Sequence, residues 1–343
     1  MAPVKQLEIL DIRHFNARQL RPLLEQEAVA WEKRLHWDYK SSTELLLNYL
    51  DSHVLPGFVA LDRGKICGFT FCVYEGQKAV VGDAYAIKAG DKTPAEITRI
   101  LLVHLLEVLV TAPNISRIES QLLLYDEGLN NTVFLNHGFH IYPRLFMECQ
   151  LKAVVEGANP ASSGSNGSGA HPPKKPVNLP PDMQLRHWEQ KLYQASAELI
   201  HDSYLGNIDA RINDQYRTLH GSLRFLHNIV RFPGCGIFEE TASWALFDTA
   251  TEQMQGLVLC SRVAPTVAHI TQLCIAPKAR GRGLARSLMH HAMAHLAATG
   301  FEAITLTVTE ANDTAVRLYE NLGFTTRHRF DAMVCEKNNG TEL

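Results

Sequence analysis

Residues 273–285 of this 343-residue chain read LCIAPKARGRGLA, and they carry the sharpest signal in the sequence. The pattern predicts an apolar strand, then a basic loop that contains Pro277, and then a helix. Glycines at such a turn let backbone N–H groups approach a ligand, and the helix N-terminus adds partial positive charge. The stretch predicts a phosphate or pyrophosphate site, with Arg280 and Arg282 adding charge from the side. A helix start with a basic loop is also typical of an ordinary solvated surface. The residues downstream of the loop are needed to distinguish a phosphate site from such a surface.

The neighbouring elements follow from hydrophobic periodicity. We predict a strand over 269–275, a loop over 277–282 and a helix over 283–298, which Gly300 ends. The next strand covers 303–308. Asn312 is suited to cap a short helix that stops at Gly323.

The N-terminal half repeats this order of elements. A predicted hairpin over 58–73 matches another over 244–260, and each is followed by a strand, a long helix, a strand and a short helix that ends in Gly-Phe. The Gly-Phe pair is Gly138-Phe139 in the N-terminal half and Gly323-Phe324 in the C-terminal half. We predict two degenerate copies of one α/β domain.

A Gly/Ser/Pro-rich stretch separates the halves. Residues 157–182 contain almost no large apolar side chains and cannot bury enough surface to offset their ordering entropy. We predict a domain at 1–155, a flexible linker at 156–182 and a second domain at 183–343.

Charge and cysteine usage exclude several classes of partner. Thirty-three Lys and Arg against thirty-six Asp and Glu give a formal charge of −3, which offers no general attraction to nucleic acid or an anionic membrane. Seven scattered cysteines without a Cys-x-x-Cys pair indicate free thiols in a reducing compartment. We expect a cytoplasmic protein with no secretory signal and no membrane span. We also expect no metal, because His290, His291 and His295 lack a further ligand at suitable spacing.

Two motifs in the second half resemble the signatures of the GNAT family of N-acetyltransferases. Arg280-x-x-Gly283-x-Ala285 matches the first, and Asn312-x-x-Ala315-x-x-Leu318-Tyr319-x-x-x-Gly323-Phe324 matches the second. The resemblance is specific over about 245–330. It implies an α/β (α+β) fold of two tandem GNAT-like domains, each a mixed, mostly antiparallel sheet flanked by helices.

The resemblance implies acetyl-CoA as co-substrate and direct attack by an amine in a ternary complex. The implied cofactor-binding residues are Leu273, Cys274, Ile275, Arg280, Gly281, Arg282, Gly283, Leu284, Ala285, Asn312, Ala315 and Tyr319. The Tyr319 hydroxyl would protonate the departing thiolate, for which a phenol is suited. The alternative is a half-buried core aromatic at this position.

A base must deprotonate the attacking amine. In some family members a carboxylate on the central strand does so, and the corresponding residue is His269. Simple alternation puts His269, Leu273 and Ile275 on one face of the strand, so the imidazole would look toward the acceptor. Glu310 and a water chain without a dedicated base are rivals.

The acceptor is expected to be a small-molecule or peptide amine. Residues 201–216 are rich in hydrogen-bonding groups, and Tyr204, Asp209 and Asn213 are candidate substrate-binding residues. A polar helix face with cap and turn residues explains them equally well. Acceptor identity and oligomeric state stay open, and a non-catalytic acyl-CoA-binding sensor or scaffold is the alternative function.

The first domain lacks the motif residues. Counting back from Gly138 puts Phe134 at the tyrosine position, Glu127 at the asparagine position and Asn130 at the alanine position. The loop 88–94 has no Arg-x-x-Gly-x-Ala, and Pro94 is expected to open the next helix. We therefore expect this domain not to catalyse.

Overall fold

The computed structural model describes residues 7–151, 179–232 and 234–337. They divide into two compact units. The first takes the described parts of 1–34, 39–144 and 329–343, and the second takes those of 35–38 and 145–328. Neither unit is continuous in sequence. Of the predicted linker only 179–182 falls within the described residues.

The first unit is built on a mixed sheet. Its elements are β1 (Glu8–Asp11), α1 (Ala17–Leu35), α2 (Lys40–Asp51), β2 (Gly57–Asp62), β3 (Lys65–Glu75), β4 (Lys78–Ala86), α3 (Pro94–Thr111), β5 (Arg117–Gln121) and α4 (Asn131–Asn136). Strands β1 to β5 lie in sequence order, and residues 332–336 of β13 (Thr325–Glu336) pair antiparallel with β5. Pro94 opens α3 as predicted, behind a Thr93/Glu96 capping box.

The second unit repeats this plan. Its elements are β6 (His140–Gln150, of which 145–150 belong here), β7 (Met183–His187), α5 (Tyr193–Tyr204), α6 (Asp209–Ile212), α7 (Leu219–Arg231), β8 (Ile237–Phe238), β9 (Trp244–Asp248), β10 (Met254–Ala264), β11 (Val267–Ile275), α8 (Leu284–Ala298), β12 (Ala303–Thr309) and α9 (Asp313–Asn321). The strand order is β6-β12-β11-β10-β9-β7, with β11 and β12 parallel. Helix α8 packs on one face of the sheet, and α5 and α7 pack on the other. The predicted fold class is confirmed.

Strand register shows that the units are copies. Gly68 lies opposite Ala86 in the first unit, as Gly256 lies opposite Ile275 in the second. Each pairing then skips one residue, Gly82 or Thr271, which is a β-bulge at the same place in both units. The parallel pairs also correspond, four residues long at 78–81 with 117–120 and at 267–270 with 303–306.

The parallel pairing in the second unit stops early. It ends at Ile270 and Leu306, although β11 continues to Ile275 and β12 to Thr309. A gap therefore opens between the C-terminal ends of these strands, beside the start of α8.

Two surveys cover the described residues only. None of their helices combines the length and apolarity needed to cross a membrane. They also hold no group of three or more His, Cys, Asp and Glu side chains placed to bind a metal ion.

Candidate functional site

The loop between β11 and α8 is a tight turn that depends on glycine. Residues Pro277–Ala279 form one 3-10 turn, and Gly281 and Gly283 both have φ of 77°. This left-handed conformation suits glycine, which has no Cβ to clash. Gly283 is the residue directly before α8, so the helix begins where the turn ends.

Five successive N–H groups at this helix start are available to a ligand. Within the part of the chain that the structure describes, the N–H groups of 281–285 have no hydrogen-bond acceptor. Residues 281–283 are exposed, whereas Leu284 is buried in the core and Ala285 is half-buried. Unpaired N–H groups at a helix N-terminus attract anions. The turn can therefore hold a phosphate group by its backbone.

The two arginines of the loop have different contacts. Arg280 donates from Nη2 to the Ser203 carbonyl oxygen at 2.6 Å and from Nε to the Ile275 carbonyl oxygen at 3.3 Å, so it fastens the loop to α5 and to β11. Arg282 binds both carboxylate oxygens of Asp182 at 2.7 and 2.8 Å. Arg282 is charged and exposed beside the turn, but Asp182 neutralises much of its field.

The end of β11 turns two N–H groups toward the gap. Opposed residues of antiparallel strands alternate between pairs that exchange backbone hydrogen bonds and pairs that do not. Ala276 donates to the Gln255 carbonyl oxygen at 2.9 Å, and Leu273 and Ile275 stand an odd number of residues away in the same register. The N–H groups of Leu273 and Ile275 therefore point away from β10, to the side that β12 has left. Leu273 donates instead to Oε1 of Gln272 at 3.1 Å.

Tyr319 lies on α9 with 8% of its surface exposed. Among the described residues its hydroxyl has no hydrogen-bond partner. Burial, and then the charge of Asp209, raise the pKa of the Tyr319 phenol well above its usual value. The group is therefore protonated at neutral pH and can donate a proton or a hydrogen bond.

Asp209 ties α6 to the end of β12 and the start of α9. Its carboxylate accepts hydrogen bonds from the Thr309 hydroxyl and, at 3.1 Å, from Nδ2 of Asn312. Oδ1 of Asn312 in turn accepts from the Ala315 N–H at 3.3 Å, which confirms the predicted cap. The Asp209 side chain also lies close enough to Tyr319 to raise the pKa of its phenol.

The other acceptor-side candidates separate into two kinds. Tyr204 stacks on Tyr216 with ring centroids 4.1 Å apart and interacts electrostatically with Asp209, Cys274 and Tyr319, so it belongs to the site. Asn213 caps the short turn that follows it by accepting from the Gln215 N–H at 3.0 Å, which is a structural role.

Cys274 is the thiol in this cluster. Burial raises its pKa to about 12, so the thiol stays protonated at neutral pH. Because the thiolate is the nucleophilic form, Cys274 is not activated for attack.

His269 is buried, with 6% exposed, near Trp37 and Phe146. Its Nδ1 lies 2.9 Å from the Thr305 hydroxyl, which donates its own hydrogen to the Ala268 carbonyl oxygen. Nδ1 is therefore the donor, and in the neutral ring Nε2 carries the lone pair. The predicted strand face is wrong: the bulge at Thr271 interrupts alternation, so His269 lies on the opposite face from Leu273 and Ile275.

Three residues of the site were missed by sequence reasoning. They are Gln272, which holds the Leu273 N–H; Ser203, which binds the Arg280 guanidinium through its backbone and donates its hydroxyl to Ile275 O at 3.2 Å; and Asp182, which pairs with Arg282. A bulge next to a polar residue carries no sequence signal. The separations of 77 and 100 residues for the other two contacts carry none either.

The corresponding place in the first unit is closed by carboxyl groups. Oδ1 of Asp83, the counterpart of Gln272, accepts from the Ala84 N–H at 2.7 Å. Glu27 of α1 is fully buried beside it, and burial raises the pKa of both carboxyl groups. Phe134 lies where the second unit has Tyr319, and the Phe134 side chain is fully buried.

Comparison with known proteins identifies a family model and a relative that each match part of the chain. The model of the acetyltransferase (GNAT) family matches residues 212–324. A mycothiol acetyltransferase of Thermobispora bispora is 51% identical over 59 residues, which cover 17% of this chain and 20% of that relative. The chain thus aligns with about a fifth of that relative's length.

Similar solved structures span the whole chain. A GCN5-related N-acetyltransferase from Sphaerobacter thermophilus has a TM-score of 0.64 at 15% identity, covering 100% of this chain and 99% of that one. A tandem GNAT protein from the clavulanic acid biosynthesis pathway has a TM-score of 0.54 at 13% identity, covering 96% and 98%. At such identities the likeness shows a shared tandem fold.

Proposed function

We propose that this chain moves an acetyl group from acetyl-CoA to an amine by direct attack in a ternary complex. Residues 212–324 match the model of the acetyltransferase (GNAT) family, and the fold is similar to that of tandem GNAT structures. The observation that carries the proposal is the run of five unpartnered N–H groups at 281–285, beside the gap between β11 and β12. A pyrophosphate fits the first feature. An extended pantetheine arm fits the second, because it can pair with a free strand edge.

The residues of the second unit divide the donor-binding task. The N–H groups of the turn hold the pyrophosphate without side-chain reorganisation. Arg280 acts through the backbone by fixing the turn to Ser203 and Ile275. The Leu273 N–H faces the gap and polarises the thioester carbonyl, where negative charge develops during attack.

The transfer then needs two proton movements. The amine nitrogen forms a bond to the carbonyl carbon and loses a proton, and the carbon–sulfur bond breaks as the thiolate departs. Tyr319 gives its proton to the sulfur, which its raised pKa allows because the phenol is still protonated at the pH where amines are free. His269 is the candidate to accept the amine proton; its ring is buried, and its Nδ1 lies 2.9 Å from the Thr305 hydroxyl.

No step uses an acyl-enzyme. Cys274, the thiol beside Tyr204, has its pKa raised to about 12 and stays protonated. This supports direct attack by the acceptor over transfer through a protein thiol.

The first unit is proposed to be non-catalytic. Its Ala84 N–H, the counterpart of Leu273 N–H, already donates to the Asp83 carboxyl group. A developing oxyanion there would meet an acidic carboxyl group, whereas the Leu273 N–H is held by the neutral carboxamide of Gln272. The phenylalanine at 134 also supplies no proton.

The acceptor is proposed to be a small-molecule or peptide amine. Tyr204 and Tyr216 give the site an aromatic wall, and the Asp209 carboxylate supplies negative charge near it. Both features suit an ammonium group before it is deprotonated.

The test combines donor binding and turnover. Acetyl-CoA is titrated calorimetrically into the full chain, and thiol release is then followed with a panel of primary amines. We expect one site per chain and amine-dependent thiol release. Binding without release for any amine would favour an acyl-CoA sensor, and absence of binding would overturn the proposal.

A further inference from the structure

The side-chain carboxamide of Gln272 accepts a hydrogen bond from the Leu273 N–H, the group that the proposed reaction needs to polarise the thioester. Gln272 is 3% exposed, and its Oε1 accepts from the Leu273 N–H at 3.1 Å and from the Tyr204 hydroxyl at 2.9 Å. The orientation of the amide follows from chemistry, because the Leu273 N–H can only donate and needs the oxygen on its side. Gln272 thus connects an aromatic side chain of the acceptor side with the donor-binding strand.

The other end of this carboxamide is unsatisfied. Nε2 of Gln272 is buried and has no hydrogen-bond partner within the described ranges. Buried polar groups without partners are uncommon and each needs an explanation. Here the side chain is held through its oxygen alone.

The same contact recurs in the first unit with a different charge. Asp83 follows the bulge there, as Gln272 does in the second unit, and it also caps the next N–H group, that of Ala84. The position therefore caps the next N–H in both copies. A neutral acceptor stands in the unit with the phosphate-binding turn, and an acidic one stands in the unit without it.

We propose that Gln272 is a positioning residue that holds the Leu273 N–H before acetyl-CoA binds and releases it to the thioester oxygen as acetyl transfer proceeds. The inference rests on the proposed function. An amide oxygen and a thioester oxygen are both neutral acceptors. Exchanging one for the other as partner of the Leu273 N–H therefore changes the free energy of the ground state little. The oxyanion is charged and binds the N–H about twice as strongly, so the exchange favours the transition state. A carboxylate at 272 would keep the N–H for itself.

Gln272→Met tests the exchange, since methionine is similar in length and has no strong acceptor. Acetyl-CoA and CoA are titrated calorimetrically into the full chain of each variant. Without Gln272 the N–H gains its partner only from the thioester, so the affinity for acetyl-CoA relative to CoA should rise about two- to tenfold. The CoA affinity should stay constant. Gln255→Met, in the neighbouring strand β10, is the matched control and should change neither affinity.

Gln272→Glu tests the charge. As pH rises through ionisation of the new carboxyl group, kcat/KM for acetyl-CoA should fall relative to the unsubstituted enzyme, and it should recover at lower pH. A merely structural role would give a pH-independent loss.

The outcomes separate the two proposals. If the unsubstituted chain binds neither acetyl-CoA nor CoA, the proposed function fails and this inference with it. If it binds both but Gln272→Met leaves their affinity ratio unchanged, or Gln255→Met shifts the ratio equally, only the role of Gln272 is overturned.

Discussion

Gly283→Glu is the sharpest test of the proposal that the turn before α8 binds phosphate. Gly283 has φ of 77° before α8, and a residue with a Cβ is strained there by about 1–2 kcal/mol. The new carboxylate would take the N–H groups of the helix start and repel a pyrophosphate. Loss of two charge-assisted hydrogen bonds, at about 1.5–3 kcal/mol each, raises the Kd for CoA about 10²- to 10⁴-fold.

Gly300→Glu is the matched control at the other end of the same helix. Gly300 has φ of 89° and open space around a Cβ, so its backbone strain is similar. Glutamate is also less favourable at a helix C-terminus than at an N-terminus, by about 0.3–1 kcal/mol. Denaturant unfolding should show both variants destabilised, whereas calorimetric titration with CoA should show lost affinity for Gly283→Glu alone. A change in Kd below about tenfold, or an equal loss in Gly300→Glu, would refute the assignment.

Three further substitutions test other parts of the structure. Tyr319→Phe should lower kcat by about 10²- to 10⁴-fold with little change in acetyl-CoA affinity or thermal stability, because the hydroxyl has no partner among the described residues; full activity would return this residue to the core. Glu27→Gln should flatten the pH dependence of stability. Burial, and then the charge of Asp83, raise the pKa of Glu27, so the native state binds the Glu27 proton more tightly than the unfolded state does. The stability that this proton contributes is complete below pH about 4.5. It is lost as pH rises through the folded-state pKa, by at most about 1.4 kcal/mol per pH unit. Urea unfolding at several pH values measures this, and parallel curves for both proteins would contradict it. Asp209→Asn should cost about 1–2 kcal/mol in the same assay, because a neutral amide offers one acceptor oxygen where the carboxylate accepts from both the Thr309 hydroxyl and Nδ2 of Asn312, which orders the cap of α9; an unchanged midpoint would show that this contact does not support the helix.

Local features of the site could be predicted from the sequence. Asn312 caps α9, and Gly300 and Gly323 follow the ends of α8 and α9 in the left-handed conformation. Strand β11 and helix α8 lie where periodicity put them, within two residues. Caps, glycine turns and apolar periods act over a few residues, so their signal is contained in the local sequence.

The face of His269 could not be predicted in the same way. Alternation assumes a regular strand, and the bulge at Thr271 inserts one unpaired residue. Side chains before and after it exchange faces, so Gln272 and not Leu273 shares a face with His269. Nothing in the local residue types marks the bulge, because it is set by how β10 and β11 pair.

Local sequence patterns are sufficient to predict the repeated α/β plan, the glycine turn before α8 and the absence of that turn from the first copy. Tertiary structure alone decided which residues complete each unit: residues 329–336, from the chain's C-terminal end, join the first, and residues 145–150 join the second. It also decided that Asp182 neutralises Arg282 and that Asp83 and Gln272 hold equivalent N–H groups. The physical reason is that these contacts join strands and side chains far apart in the chain, and their energies depend on register and burial, which exist only once the sheets have formed.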